Sequence, residues 1–136
     1  MQNNPPQWVF AADTLVSLGK AVFGKPKNRE DSKLMLNTLQ GKTHEVTTAA
    51  ALYNGRTGKI DCRTSVNSIT FALMTESEIE WYLDTGEWKD AAGAYKIQGK
   101  ASCFITEIRG SYSGVVGLPL RELYVMLREN GYPFGA

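Results

Sequence analysis

Thr43-His44-Glu45-Val46-Thr47-Thr48-Ala49-Ala50-Ala51-Leu52-Tyr53-Asn54, then Gly55-Arg56-Thr57-Gly58, then a second run from Lys59 to Leu73, is the stretch that decides the fold. The first run is rich in Thr, Val and Ala, and in the second Ile69, Phe71 and Leu73 alternate with polar or small partners. β-Branched, alternating runs of this kind on either side of a glycine-bearing turn predict a long antiparallel pair. Towards the N-terminus, Asn28 as a cap, Glu30 and Asp31 in a first turn, the recurrence of Leu34, Met35 and Leu39, and Gly41 as a stop predict a helix. Before it, Thr14 to Leu18 and Ala21 to Phe23 predict a small hairpin about Gly19-Lys20. Trp8-Val9-Phe10-Ala11-Ala12 reads as a short strand buried on both faces and ending at Asp13.

Towards the C-terminus, Thr75-x-x-Glu78 has the form of a capping box. Ile79, Tyr82 and Leu83 supply an apolar stripe, and Gly86 ends this second helix. A loop rich in small residues, Glu87 to Gly99, precedes Ala101 to Ile108, whose apolar residues on both parities predict a central strand. Gly110 to Gly114 reads as a turn, and a last helix with Pro119 in its first turn carries Leu120, Leu123, Tyr124 and Leu127. Strands and helices mixed in this order predict one layered domain over residues 1–136, α/β or α+β, with no internal repeat or dividing linker.

The 136 residues are 43% hydrophobic and 21% charged, which excludes a disordered or fibrous chain. Fifteen basic against fourteen acidic residues give a net charge of +1, so no general field attracts nucleic acid or anionic lipid, and neither is expected as a partner. An anionic ligand then needs a local site. No run approaches the roughly 18 apolar residues of a membrane span, and Met1 to Pro6 lacks the basic and apolar regions of a signal peptide. Cys62 and Cys103, far apart and without a CxxC partner, are expected to be buried packing residues in a reducing cytoplasm.

Several residues could carry chemistry. Gly19 to Lys25 fits seven positions of a GxxxxGK[ST] loop, but Pro26 stands where the motif needs a hydroxyl, and it drives Lys25 away from opening a helix. What survives is Lys25 in a stiff Gly-Lys-Pro turn, suited to a phosphate with a divalent metal; an ordinary solvated lysine is the competing reading. Asp13, at the expected carboxyl end of its strand, could bind a metal or take a proton from water, or simply serve a turn. Gln98 closes a small-residue segment, Ala91 to Gly99, and carries the donor and acceptor that reading a nucleobase edge demands; alternatively it satisfies its own backbone. His44 is the sole histidine, so a multi-histidine metal site is excluded and any Ser/His or Cys/His mechanism would have to use it. Tyr112 at the centre of Gly110 to Gly114 rules out a G-x-S-x-G nucleophile elbow.

Taken in order, Ala12-Asp13-Thr14, Gly24-Lys25-Pro26, Leu39-Gln40-Gly41 with His44, Gly93-Ala94-Tyr95-Lys96-Ile97-Gln98-Gly99, and Gly110-Ser111-Tyr112 leading to Val116-Gly117-Leu118-Pro119 resemble the Maf family, from about Trp8 to about Asn130. The resemblance implies a Maf/ITPase-like domain with a mixed, twisted sheet flanked by helices. It also implies a nucleoside triphosphate pyrophosphatase that uses magnesium or manganese to release a monophosphate and pyrophosphate. It casts Asp13 as proton acceptor or metal support, Lys25 as a phosphate contact, and Thr14 and Gln98 as specificity positions. The Asp-Thr and Ile-Gln-Gly pairings are similar to the branch acting on dTTP and UTP. Homodimerisation is what the family implies, and nothing in the sequence shows it. The family's opening strand and S-x-S-P-R-R motif are not found ahead of Asp13, so the expectation is a domain incomplete at its N-terminus. Ala91 and Lys96 also depart from the family's usual lysine and glycine. The alternative is a non-catalytic nucleotide-binding or septum-formation-associated interaction protein.

Overall fold

The computed structural model describes residues 7–135; the Met1–Pro6 stretch read for targeting lies outside them. The predicted long pair is present as β3 (Thr43–Asn54) and β4 (Lys59–Phe71), antiparallel from Thr43↔Thr70 to Asn54↔Lys59. Burial alternates along β3: His44, Val46, Thr48, Ala50, Leu52 and Asn54 all point to the covered face, as a period of two requires. At the turn the Asn54 side chain accepts from the Arg56 N–H at 2.9 Å, closing the hairpin locally.

On the other side of β3 lies β1 (Trp8–Leu18), which carries β2 (Ala21–Phe23) on its far edge; β5 (Ile105–Arg109) borders β4. The order is β2-β1-β3-β4-β5, and the sheet, expected to be mixed, is antiparallel at each of these pairings. The predicted hairpin about Gly19-Lys20 is in place. Two other strand expectations are corrected. β1 does not stop at Asp13 and is not buried on both faces: it runs on through Asp13 and Thr14, pairing with β3 from Trp8↔Asn54 to Ser17↔Glu45. An acid fits inside the strand because its Oδ1 accepts the Thr14 N–H at 3.0 Å, on an edge where β2 reaches only Val16 to Leu18. The Ala101–Ile108 strand is half a 3₁₀ turn (Lys100–Phe104), and its remainder, β5, sits at the sheet edge rather than the centre.

One face of the sheet is covered by helices. The other shows cross-strand rows of exposed side chains, such as Val9, Tyr53 and Ile60. On the covered face α1 (Arg29–Leu39) is capped by Asn28, whose side chain accepts from the Asp31 N–H. Its buried stripe is Ser32, Leu36 and Leu39, not Leu34, which is exposed; Ser32 fits because its hydroxyl donates to the Asn28 carbonyl. α2 (Glu76–Asp84) has the predicted capping box and buries Ile79, Tyr82 and Leu83. The expected turn after Gly110 is a short helix, α3 (Tyr112–Val116), because the Ser111 hydroxyl caps it by accepting from the Gly114 N–H. In α4 (Leu120–Glu129) Met126 is the fully buried side chain, while Leu120 and Tyr124 are exposed. Pro119 stands just before α4 rather than within it.

Two loops complete the covered face. Gly93, in the 3₁₀ turn Ala92–Ala94, adopts φ +72° and lies so close to β1 that a Cβ there would meet Val16 Cγ2 at 2.9 Å. Its N–H donates to the Gly24 carbonyl at 3.2 Å, tying the 91–98 loop to the segment carrying Lys25. Beneath that loop His44, Phe71 and Tyr95 form an aromatic cluster, with ring centroids 4.8 to 5.4 Å apart and His44 Nε2 2.6 Å from the Tyr95 hydroxyl. Burial lowers the His44 pKa to about 4, and among the described residues its Nδ1 has no partner.

Two outcomes follow from these contacts. His44 stays neutral when folded, whereas in the unfolded chain it takes a proton near its ordinary pKa of about 6.5; the unfolded state therefore binds more protons as pH falls towards 4. His44 should cost about 2 kcal/mol of stability between pH 7 and pH 5. Urea titrations at the two pH values measure this, and His44→Phe should flatten the difference. Gly93→Ala, which places a methyl against Val16 at a positive φ, should destabilise by about 1–3 kcal/mol in the same assay.

Candidate active site

A cavity of about 260 Å³ opens on the covered side of β1. Three separated segments wall it: Asp13 and Thr14 from β1, Lys25 from the loop after β2, and Gln98 from the 91–98 loop. All four residues singled out in the sequence thus border one space, Thr14 from the covered parity of β1 and Asp13, opposite Ala49, from the strand's edge, where its carboxylate turns to the Thr14 N–H. Its floor is apolar, with Val16 and Val46 from adjacent strands and Val115 from α3.

Local chemistry explains how each side chain arrives. Asp13 is exposed, and with its Oδ1 on the Thr14 N–H its second oxygen has no protein partner among the described residues. That placement corrects the expectation of a strand's carboxyl end: the acid stands mid-strand, beside an edge left unpaired among the described residues. Lys25 is exposed and forms no ion pair among the described residues. No helix opens on it, since α1 starts only at Arg29, and Pro26 separates the two as the failed GxxxxGK[ST] match implies. In the 91–98 loop Tyr95 and Ile97 are buried while Lys96 and Gln98 are exposed, and the turn closed by the Gly99 N–H on the Lys96 carbonyl leaves the amide outside the core. Gln98 makes no hydrogen bond to its own backbone among the described residues.

The loop is held in an unusual shape. Asp90 (φ +58°) and Ala94 (φ +67°) join Gly93 in the left-handed region, a conformation side chains rarely adopt without support. Support comes from the buried Tyr95 and Ile97, and from Glu87, whose carboxylate accepts the Lys100 N–H. Glu87 reaches that N–H only because Gly99 has no side chain: a Cβ would stand 2.3 Å from Oε1.

Two further cavity residues, Asp90 and Lys96, complete the charge pattern: two carboxylates and two ammonium groups, formally neutral. The sequence drew no attention to Asp90; its one signal is that Asp tolerates a left-handed backbone ahead of a small-residue run. Among the described residues no three His, Cys, Asp or Glu gather into a metal-binding group, so Asp13 and Asp90 are the carboxylate donors the cavity offers a cation.

His44 lies outside the cavity. It is 1% exposed and its Nε2 faces the Tyr95 hydroxyl, so no nucleophile can use it as a base. The cysteines, expected to be buried, are both exposed and free: Cys62 stands on the uncovered parity of β4 and Cys103 on the 3₁₀ turn before β5. Among the described residues no helix is long and apolar enough to cross a membrane.

The chain is similar to known proteins. The family model described as Maf-like protein matches residues 1–130. A dTTP/UTP pyrophosphatase of Treponema denticola is 49% identical over 124 residues, covering 91% of this chain and 61% of the relative. The dTTP/UTP pyrophosphatase of Desulforamulus reducens is 48% identical over 90% of this chain and 64% of its own length, and that of Chromobacterium violaceum 42% identical over 94% and 64%. The chain therefore spans a little over three-fifths of the length of these curated relatives. With the family model matched along nearly the whole sequence, the chain belongs to the Maf family.

Proposed function

We propose that this chain carries the nucleotide site of a nucleoside triphosphate pyrophosphatase acting on dTTP and UTP. The observation that carries this reading is the convergence of Asp13, Thr14, Lys25 and Gln98 on one cavity from three segments, in a chain whose relatives bear that activity in their names. The apolar floor suits a flat base, the neutral polar pair Thr14 and Gln98 suits its edge, and the Lys25 ammonium suits phosphate oxygens.

In the reaction, a water oxygen bonds to the α-phosphorus, the bond from that phosphorus to the bridging oxygen breaks, and pyrophosphate leaves with the monophosphate as the second product. Asp13 takes the proton from the attacking water through its unpartnered oxygen, while the Thr14 N–H fixes the carboxylate's rotation. Lys25, held near β1 through the Gly93–Gly24 backbone bond, offsets phosphate charge. Magnesium and manganese take one or two carboxylates and fill the shell with water and phosphate oxygens, so Asp13 and Asp90 fit as donors. When bound, such an ion neutralises charge on the phosphates and on the leaving pyrophosphate. We place this activity in the cytoplasm, where triphosphates and free thiols coexist.

Pyrophosphate release from dTTP and UTP with magnesium or manganese tests the reading. Asp13→Asn should lower kcat about 100-fold or more with a KM change of only a few-fold. Lys25→Ala should raise KM about tenfold, since it removes a charge from the phosphates. Release that is indifferent to Asp13 would sink the catalytic assignment, and tight nucleotide binding with no release from any triphosphate would leave a binding protein in its place.

A further inference from the structure

Thr14 and Thr48 face each other across the β1–β3 pairing, with their hydroxyl oxygens 2.9 Å apart. Thr48 is fully buried, and its hydroxyl lies 2.7 Å from the Gly114 carbonyl oxygen of α3. A carbonyl carries no hydrogen, so in that bond the Thr48 hydroxyl is the donor. Its single hydrogen is then committed, and the Thr14–Thr48 bond has to use the hydrogen of Thr14. Thr14 therefore directs its hydrogen into the protein and has only lone pairs left for the cavity it lines.

We propose that Thr48 is a positioning residue that sets the polarity of the cavity, making Thr14 an acceptor that selects a base with a ring N–H. The proposal rests on the nucleotide reading of this site and adds the direction of one hydrogen bond to it. Uracil and thymine carry an N–H between two carbonyls, whereas cytosine has a bare nitrogen at that position. An acceptor-only Thr14 bonds to the first and sets lone pair against lone pair with the second. Gln98 cannot make this distinction alone, because its amide holds both a donor and an acceptor and can rotate to suit either base. Thr14 is the group with fixed polarity, and Thr48 is what fixes it.

The test uses α,β-methylene analogues of UTP and CTP with magnesium, titrated calorimetrically into the 136-residue chain and into Thr48→Val and Thr48→Ser. The unaltered chain should bind the uracil analogue about tenfold or more tightly than the cytosine analogue. Thr48→Val frees the Thr14 hydrogen and should bring the two affinities within about threefold, while Thr48→Ser, which keeps the hydroxyl, should restore the preference. Loss of packing alone would weaken both analogues together and leave their ratio unchanged. Should Thr48→Val fail to fold by circular dichroism, Thr14→Val takes its place; it should lower uracil affinity about tenfold and cytosine affinity hardly at all. No preference in the unaltered chain, or a preference that survives Thr48→Val, overturns the proposal while pyrophosphate release from dTTP and UTP still stands. Failure to bind either analogue overturns the nucleotide reading and this proposal together.

Discussion

The parity of β3 is the constraint on which the rest depends. The strand is paired on both sides, with β1 along ten residues and β4 along twelve, and among the described residues only one of its faces is covered. A slip of one residue would carry His44, Val46, Thr48 and Leu52 to solvent and bring Glu45 and Tyr53 inside, so the hydrophobic pattern leaves a single register. That register places Thr14 opposite Thr48 and Val16 opposite Val46, giving the cavity its floor and its first polar contact in one step. The helices then fill the covered face around a core that runs from Leu36 and Leu39 through Ile69 to Ile79 and Leu83.

Much of this was legible in the sequence where local chemistry and tertiary environment agree. The β3–β4 pair, the Asn28 cap and the Thr75–Glu78 capping box are short-range signals, and packing confirms them. The misreadings fall where a long-range partner decides. β1 passes through Asp13 because a side chain serves a backbone N–H at an edge that, among the described residues, β2 pairs only from Val16 to Leu18, and no periodicity records that. The segment from Ala101 has apolar residues on both parities because Ala101 and Phe104 lie in a 3₁₀ turn against the core, a pattern that mimics a central strand. Cys62 has the parity of the uncovered sheet face, which becomes visible only once the helices are known to occupy the other side.

The cavity shows the same division. The adjacent Asp13 and Thr14, then Lys25, then Gln98 stand on three separate segments, and the ordered resemblance to a family marks them together where spacing could not. Asp90 went unmarked because its place depends on a loop that turns left-handed at Asp90, Gly93 and Ala94. Such a loop holds its shape through its surroundings: Val16 beneath Gly93, Tyr95 and Ile97 in the core, and Glu87 across Gly99. The strain is local, and the contacts that offset it come from β1 and from the chain on either side of the left-handed residues.

Tyr95 belongs to two structures at once. Its ring closes the aromatic cluster with His44 and Phe71, and it also lines the cavity. Cavity shape and thermal stability are therefore not independent traits along this wall. A lineage that reshapes the cavity here alters its own melting temperature in the same step, and one that repacks the core around His44 alters what the cavity admits. Lys96 and Gln98, exposed on the same wall, are where a change of side chain leaves the core intact.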